Sequence, residues 1–157
     1  MTRETRTLRF LLVLLLLALV LGCGLLYGLS LEEAQAAPEL AHLRLPVYVA
    51  AVVGLVPVVL AITAVYAFLG AVDEGAAFSA RTVEILRRLR RLIGVFAGYL
   101  VLGLLGFWIA TGLMHPTLVF LWCVVEVAAL FLFTMVALLE RIFVAALALS
   151  EDSELTV

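Results

Sequence analysis

The sequence predicts an all-α integral membrane protein. It reads as one domain, residues 1–157, built as a four-transmembrane-helix bundle with both chain ends cytoplasmic. Three observations carry that expectation. Of the 157 residues, 66% are hydrophobic and 14% charged, and the mean hydropathy is +1.27. A soluble domain is roughly half apolar and about a quarter charged, and a water-soluble fold of this size cannot hide so much apolar surface, so lipid must solvate most of it. Four nearly uncharged runs, at about residues 10–29, 47–72, 92–114 and 118–139, are each long enough to cross a bilayer as a helix. Finally, the charges are segregated along the chain, with all ten basic residues arginine.

The chain opens on Arg3, Arg6 and Arg9, and the first apolar run starts at Phe10. Arginines before an apolar run resemble a signal peptide, with Ala34-Gln35-Ala36 as a cleavage site, and Val20-Leu21-Gly22-Cys23 loosely resembles a lipoprotein box. The run is longer than a usual signal core, so we read it as an uncleaved first span. Ser30 to Pro46 forms a connector bearing Glu32, Glu33, Glu39, His42 and Arg44. The second span contains Pro57, which removes a backbone bond and should kink the helix. Asp73-Glu74-Gly75 ends it.

Ser79 has the chemistry of an N-cap for the next helix. At 100° per residue, Ile85, Leu86, Leu89, Leu92 and Ile93 share one face. Arg81, Arg87, Arg88 and Arg91 share the other, with Arg90 at its edge and Glu84 placed to pair with Arg87 or Arg88. Residues 78–91 therefore read as an amphipathic cytoplasmic extension of the third helix, running along or out of the membrane surface. His115-Pro116-Thr117 is a short turn, and the fourth helix should continue past Glu140-Arg141 toward an acidic tail, residues 150–157. Nine arginines flank one side of the spans and only Arg44 the other, so the positive-inside rule puts both termini and the Arg-rich segment in the cytoplasm.

Several residues are candidates for chemistry. Glu126 is the acid inside the fourth run, and an ionised carboxylate at that depth costs on the order of 3 kcal/mol, so it should be neutral or paired. Trp108 and Thr111 fall at matching depth and offer polar hydrogens; a second copy of the chain is another source of partners. Cys23 and Cys123 lie at equal depth and could touch if their helices were neighbours, but two small buried packing residues are the favoured reading. His42 and His115 have no metal-ligand spacing. Gly24-xxx-Gly28, Ala50-xxx-Gly54 and Gly94-xxx-Gly98 offer flat surfaces for close helix approach. Arg81, Arg87, Arg88, Arg90 and Arg91 suit anionic lipid headgroups, the acidic tail through Glu151, Asp152 and Glu154, or an acidic cytoplasmic protein. Nucleic acid is not expected, because the basic face is short and has no interleaved aromatics. No nucleophile–base pair, phosphate-cradling loop, metal motif or cofactor site is visible, so no enzymatic activity is expected.

The segment Gly75-Ala76-Ala77-Phe78-Ser79-Ala80-Arg81-Thr82-Val83-Glu84-Ile85-Leu86-Arg87-Arg88 resembles the loop of a bacterial four-span membrane family, domain of unknown function 2975. That loop reads Gly, then Phe-Ser/Thr, then Asn-Val and Leu-Arg/Lys; Thr82 stands where asparagine is usual. The closing Glu154-Leu155-Thr156-Val157 is similar to the family's ending. The resemblance implies a bacterial inner-membrane protein acting as membrane partner to a small helix-turn-helix regulator. The leading expectation is thus a non-enzymatic sensor or scaffold. The alternatives are a small oligomeric transporter or channel using Glu126, or an accessory subunit of a larger membrane complex.

Overall fold

A computed structural model describes residues 3–36, 38–76, 78–112 and 116–154, without the side chains of residues 33, 34, 36, 39, 40, 118 and 150–154. The helices are α1 (Arg3–Ala36), α2 (Arg44–Asp73), α3 (Ala80–Thr111) and α4 (Pro116–Glu154), with a 3₁₀ turn over Pro38–Leu43. All four are long and apolar enough to cross a membrane. Each packs on its sequence neighbours: α1 on α2, α2 on α3, α3 on α4. Among the described residues neither α1 and α4 nor α2 and α4 approach closely through their backbones, so the helices stand in a row with α1 and α4 at its edges, α2 and α4 meeting through side chains such as Phe68 and Phe143. Cys23 and Cys123 sit on those edge helices and are both free thiols.

The helix ends follow from local chemistry. The first connector is shorter than expected, because Leu31, Glu32 and the residues to Ala36 continue α1; most of them are good helix formers. Pro46 falls in the first turn of α2, where its missing N–H would have had no partner. Pro57 lies inside α2 without ending it. At the far end Gly75 adopts φ +74°, with Ala76 N–H bonded to Ala71 O at 3.0 Å and Gly75 N–H to Val72 O at 3.1 Å. This Schellman pair closes α2 and needs a residue free to turn left-handed. Gly112, at φ +64°, stops α3 at Thr111, three residues earlier than the apolar run suggested. Pro116 opens α4 as its first residue, a position that suits its fixed φ.

Burial is uneven along the bundle. At the end carrying the α2–α3 loop, Ala64, Leu86, Leu89 and Val136 form a core, flanked by Phe68, Ile85 and Phe143. The apolar face of residues 80–93 is thus packed against α2 and α4. Toward the middle of the spans, the buried residues among those described are the small Gly54, Ala97 and Ala129, with Ile62 as the one large side chain.

There the helices meet through rings seated on glycines. A Cβ at Gly54 would stand 2.7 Å from Tyr99 Cε1, one at Gly94 3.3 Å from Phe133 Cε2, and one at Gly103 3.2 Å from Trp122 Cζ2. The two polar rings also bond to the helix that receives them: Tyr99 Oη donates to Ala50 O, and Trp122 Nε1 donates to Leu100 O at 2.9 Å. A ring tip buried among apolar groups needs such a partner. The expected flat glycine surfaces are therefore corrected. Gly54 and Gly94 receive side chains rather than helix backbone, while Gly24, Gly28 and Gly98 have nothing within 4 Å of an added Cβ.

Candidate functional site

Most of the interactions that bring charge and shape together lie at the α2–α3 loop end. The loop is fastened by Thr82, whose side chain has no accessible surface. Thr82 Oγ1 donates to Ala76 O at 3.1 Å and stands 3.1 Å from Ser79 Oγ, while Ser79 Oγ accepts from Thr82 N–H at 3.3 Å. A hydroxyl has one proton, so with Thr82 donating to Ala76, the Ser79 hydroxyl must donate to Thr82. Ser79 is the N-cap, as expected. Phe78 stacks on Phe143 with ring centroids 5.1 Å apart, tying the loop to α4.

One turn further along, α3 meets the carboxylate of Glu140. Arg87 Nε lies 3.2 Å from Glu140 Oε1, and Arg90 Nη1 lies 3.0 Å from Oε2. The first contact is a directed hydrogen bond; the second is an ion pair off the hydrogen-bond line, since Oε2 has no hydrogen-bond partner. The Glu140 side chain is 11% exposed, whereas those of Arg87 and Arg90 are 56% and 40% exposed. Arg90 also lies over the Phe133 ring, 5.7 Å from its centroid. Arg9 pairs with Asp73 at 2.9 Å and stacks over Tyr66, which pins α1 to α2 at this same end. Arg81 reaches Glu74 only at 3.9 Å, both well exposed, a pair worth little.

A groove of about 550 Å³ runs beside this triad between α3 and α4. Ala80, Val83, Val144 and Leu147 supply its apolar lining. Glu84, Arg87, Arg88 and Arg91 supply its polar rim. Glu84 makes no ion pair among the described residues, so the expected pairing with Arg87 or Arg88 is not formed; Arg87 instead reaches Glu140. Arg88 and Arg91, both exposed, make no ion pair among the described residues either. The five candidate arginines thus divide into Arg87 and Arg90, engaged within the fold, and Arg81, Arg88 and Arg91, which face outward. The side chains of Glu151, Asp152 and Glu154 lie outside the described ones.

Glu126 does not meet Trp108 or Thr111. Trp122 on Gly103 and Phe133 on Gly94 set the α3–α4 register, which puts Glu126 level with the turn around Leu100. Trp108 and Thr111 lie further toward the α3–α4 connection. Thr111 Oγ1 donates to Phe107 O at 2.9 Å, Trp108 is 48% exposed, and the buried Oε2 of Glu126 has no hydrogen-bond partner among the described residues. The depth count from the span ends failed because α3 stops early and α4 starts early. His115 lies outside the described residues, and no group of potential metal ligands occurs among them.

Glu140 and the Arg9–Asp73 pair were missed from sequence. A signal existed for Glu140: Glu126, Phe133, Glu140 and Leu147 recur every seven residues along α4, the spacing of one helix seam. Nothing local links Arg9 to Asp73, 64 residues away.

A family model described as Protein of unknown function (DUF2975) matches residues 28–157. The chain belongs to this family. The match starts inside α1 at Gly28 and takes in α2, α3, α4 and the groove. No curated protein and no solved structure matches the chain. Within this DUF2975 chain the loop motif acquires physical content: Gly75 turns left-handed, Ser79 caps, Thr82 fastens the loop, Leu86 enters the core and Arg87 holds Glu140.

Proposed function

We propose that this protein is a non-enzymatic membrane scaffold or sensor whose loop end stands in the cytoplasm and holds a soluble protein there. The sidedness rests on the arginine distribution. The extension rests on lengths. A bilayer core needs about 20 helical residues, and spans at about 10–29, 47–66, 92–111 and 118–138 satisfy that at a common level, marked by Arg9 over Tyr66 and by Arg90 on Glu140. The remainder of α2, α3 and α4 then projects beyond the hydrocarbon, α4 by roughly 20 Å from Arg141 to Glu154 at 1.5 Å per residue. The distribution of burial supports this division. Lipid provides no hydrophobic drive to bury large side chains between helices, and water does; of the larger buried side chains, Leu69, Val83, Leu86 and Leu89 lie beyond these spans, and Ile62 and Val136 lie inside them.

The observation that carries the reading is the apolar groove rimmed by Arg88 and Arg91. The deciding experiment uses Arg88→Gln with Arg91→Gln in the full chain, purified in mild detergent from its native membranes, with bound proteins identified by mass spectrometry. The partner should be lost while membrane insertion is unchanged; co-purification at the parent level overturns the reading. Arg87 and Arg90 are left intact because removing them would strand the buried Glu140 carboxylate.

A second reading is favoured by the orphaned Oε2 of Glu126. In it the carboxyl carries a proton in transport, and Glu126→Gln abolishes pH-dependent flux in proteoliposomes. Absence of flux in the parent protein ends that reading.

A further inference from the structure

We infer that the groove between α3 and α4 takes an acidic amphipathic helix from a soluble protein, with the carboxylate-bearing end toward the bilayer. The inference rests on the scaffold reading above and assigns its partner a chemistry. From Ala80 to Arg91 the α3 wall is three turns long, about 17 Å, which suits a docked helix of similar length. Ala80, Val83, Val144 and Leu147 form the apolar surface for its buried stripe. Arg88 and Arg91 sit at the membrane-proximal end of that wall, exposed and without an ion pair among the described residues. They favour carboxylates there and disfavour a basic helix at that end, while Glu84, one turn nearer the loop on the same rim, repels carboxylates from the other end.

Other occupants fit the geometry worse. The chain's own acidic stretch is carried away from the groove, because α4 remains helical through Glu154 and so runs past Leu147 along its axis. A second copy lying in the same bilayer keeps its residues at the same height. Its Glu151 and Glu154 would then stand some 15 Å or more above Arg88 and Arg91 at 1.5 Å per residue. A lipid acyl chain would lie toward the hydrocarbon, whereas Val144 and Leu147 lie on the water side of Arg91. A helix from a soluble protein is the occupant that brings both apolar surface and carboxylate to that height.

The test is fluorescence anisotropy with the full chain in phosphatidylcholine nanodiscs, empty discs serving as the partition control. The probe is a labelled synthetic helix of about 18 residues with leucines at i, i+3, i+4 and i+7 and flanking glutamates. Its companion carries glutamine at the same positions. The acidic peptide should bind about tenfold tighter than its glutamine companion. That difference should vanish in Arg88→Gln/Arg91→Gln, and Val144→Trp, which fills the groove from an exposed position, should weaken both peptides. Equal binding of the two peptides, or a preference surviving the arginine substitutions, overturns the inference. So does an arginine-dependent preference for phosphatidylglycerol without any peptide binding, which would make the groove a lipid site. If native co-purification still depends on Arg88 and Arg91 while the acidic peptide shows no advantage, the helix chemistry falls and the scaffold stands. If both signals are lost, the scaffold falls too.

Discussion

Thr82 shows how much one hydroxyl can hold. It is fully buried, donates to Ala76 O and receives the Ser79 proton, so Thr82→Val would leave two polar groups facing a methyl. We expect a loss of about 1–2 kcal/mol, read as lowered thermal stability in detergent, with Thr82→Ser recovering most of it. The Glu140 cluster makes a second residue-scale prediction, from the asymmetry of its exposures. Removing Arg87 and Arg90 together strands a nearly buried carboxylate, whereas Glu140→Gln releases two arginines that already reach water. The double arginine variant should therefore be the less stable, by roughly 1–3 kcal/mol; equal melting temperatures would contradict the assigned geometry. Ser79 was legible from its sequence position because capping is a local matter. Glu140 was not singled out, because an acid at the end of an apolar run also suits a solvated helix.

Among elements, the contacts between spans are specific rather than merely apolar. Gly54→Ala must displace the Tyr99 ring, which is tethered at its tip to Ala50 O. It should cost about 1–3 kcal/mol as overpacking does, whereas Gly98→Ala, with open space around it, should be neutral or slightly stabilising. Differential thermal unfolding followed by tryptophan fluorescence separates the two. The four apolar helices themselves were legible because lipid leaves the backbone no alternative to helix, although α1 runs seven residues past each end expected for its span. Their pairing was harder to read: small-xxx-small spacing marks where a close approach is permitted, not what arrives. The ring that seats on Gly103 comes from Trp122, nineteen residues away, and nothing in the glycine's own neighbourhood names it.

For the whole molecule, the orientation can be checked directly. With Cys23 and Cys123 replaced by serine, single cysteines at Ala41 and Glu74, both exposed, should respond oppositely to a membrane-impermeant thiol reagent in intact cells. Ala41→Cys should label at once and Glu74→Cys only after permeabilisation; the reverse pattern removes the cytoplasmic platform. At this scale the arginine count gives an expected sidedness, while the row arrangement lay beyond it, since composition says nothing about which helices are neighbours. That arrangement has a consequence for biosynthesis. Of the four helices α1 leaves the ribosome before the others, and among the described residues it touches only α2 and the short turn before it. It is pinned by Arg9 on Asp73 near one end and by Arg44 on Ser30 near the other. It must therefore wait in the bilayer until the second helix arrives, and α2–α4 can assemble with one another before or without it.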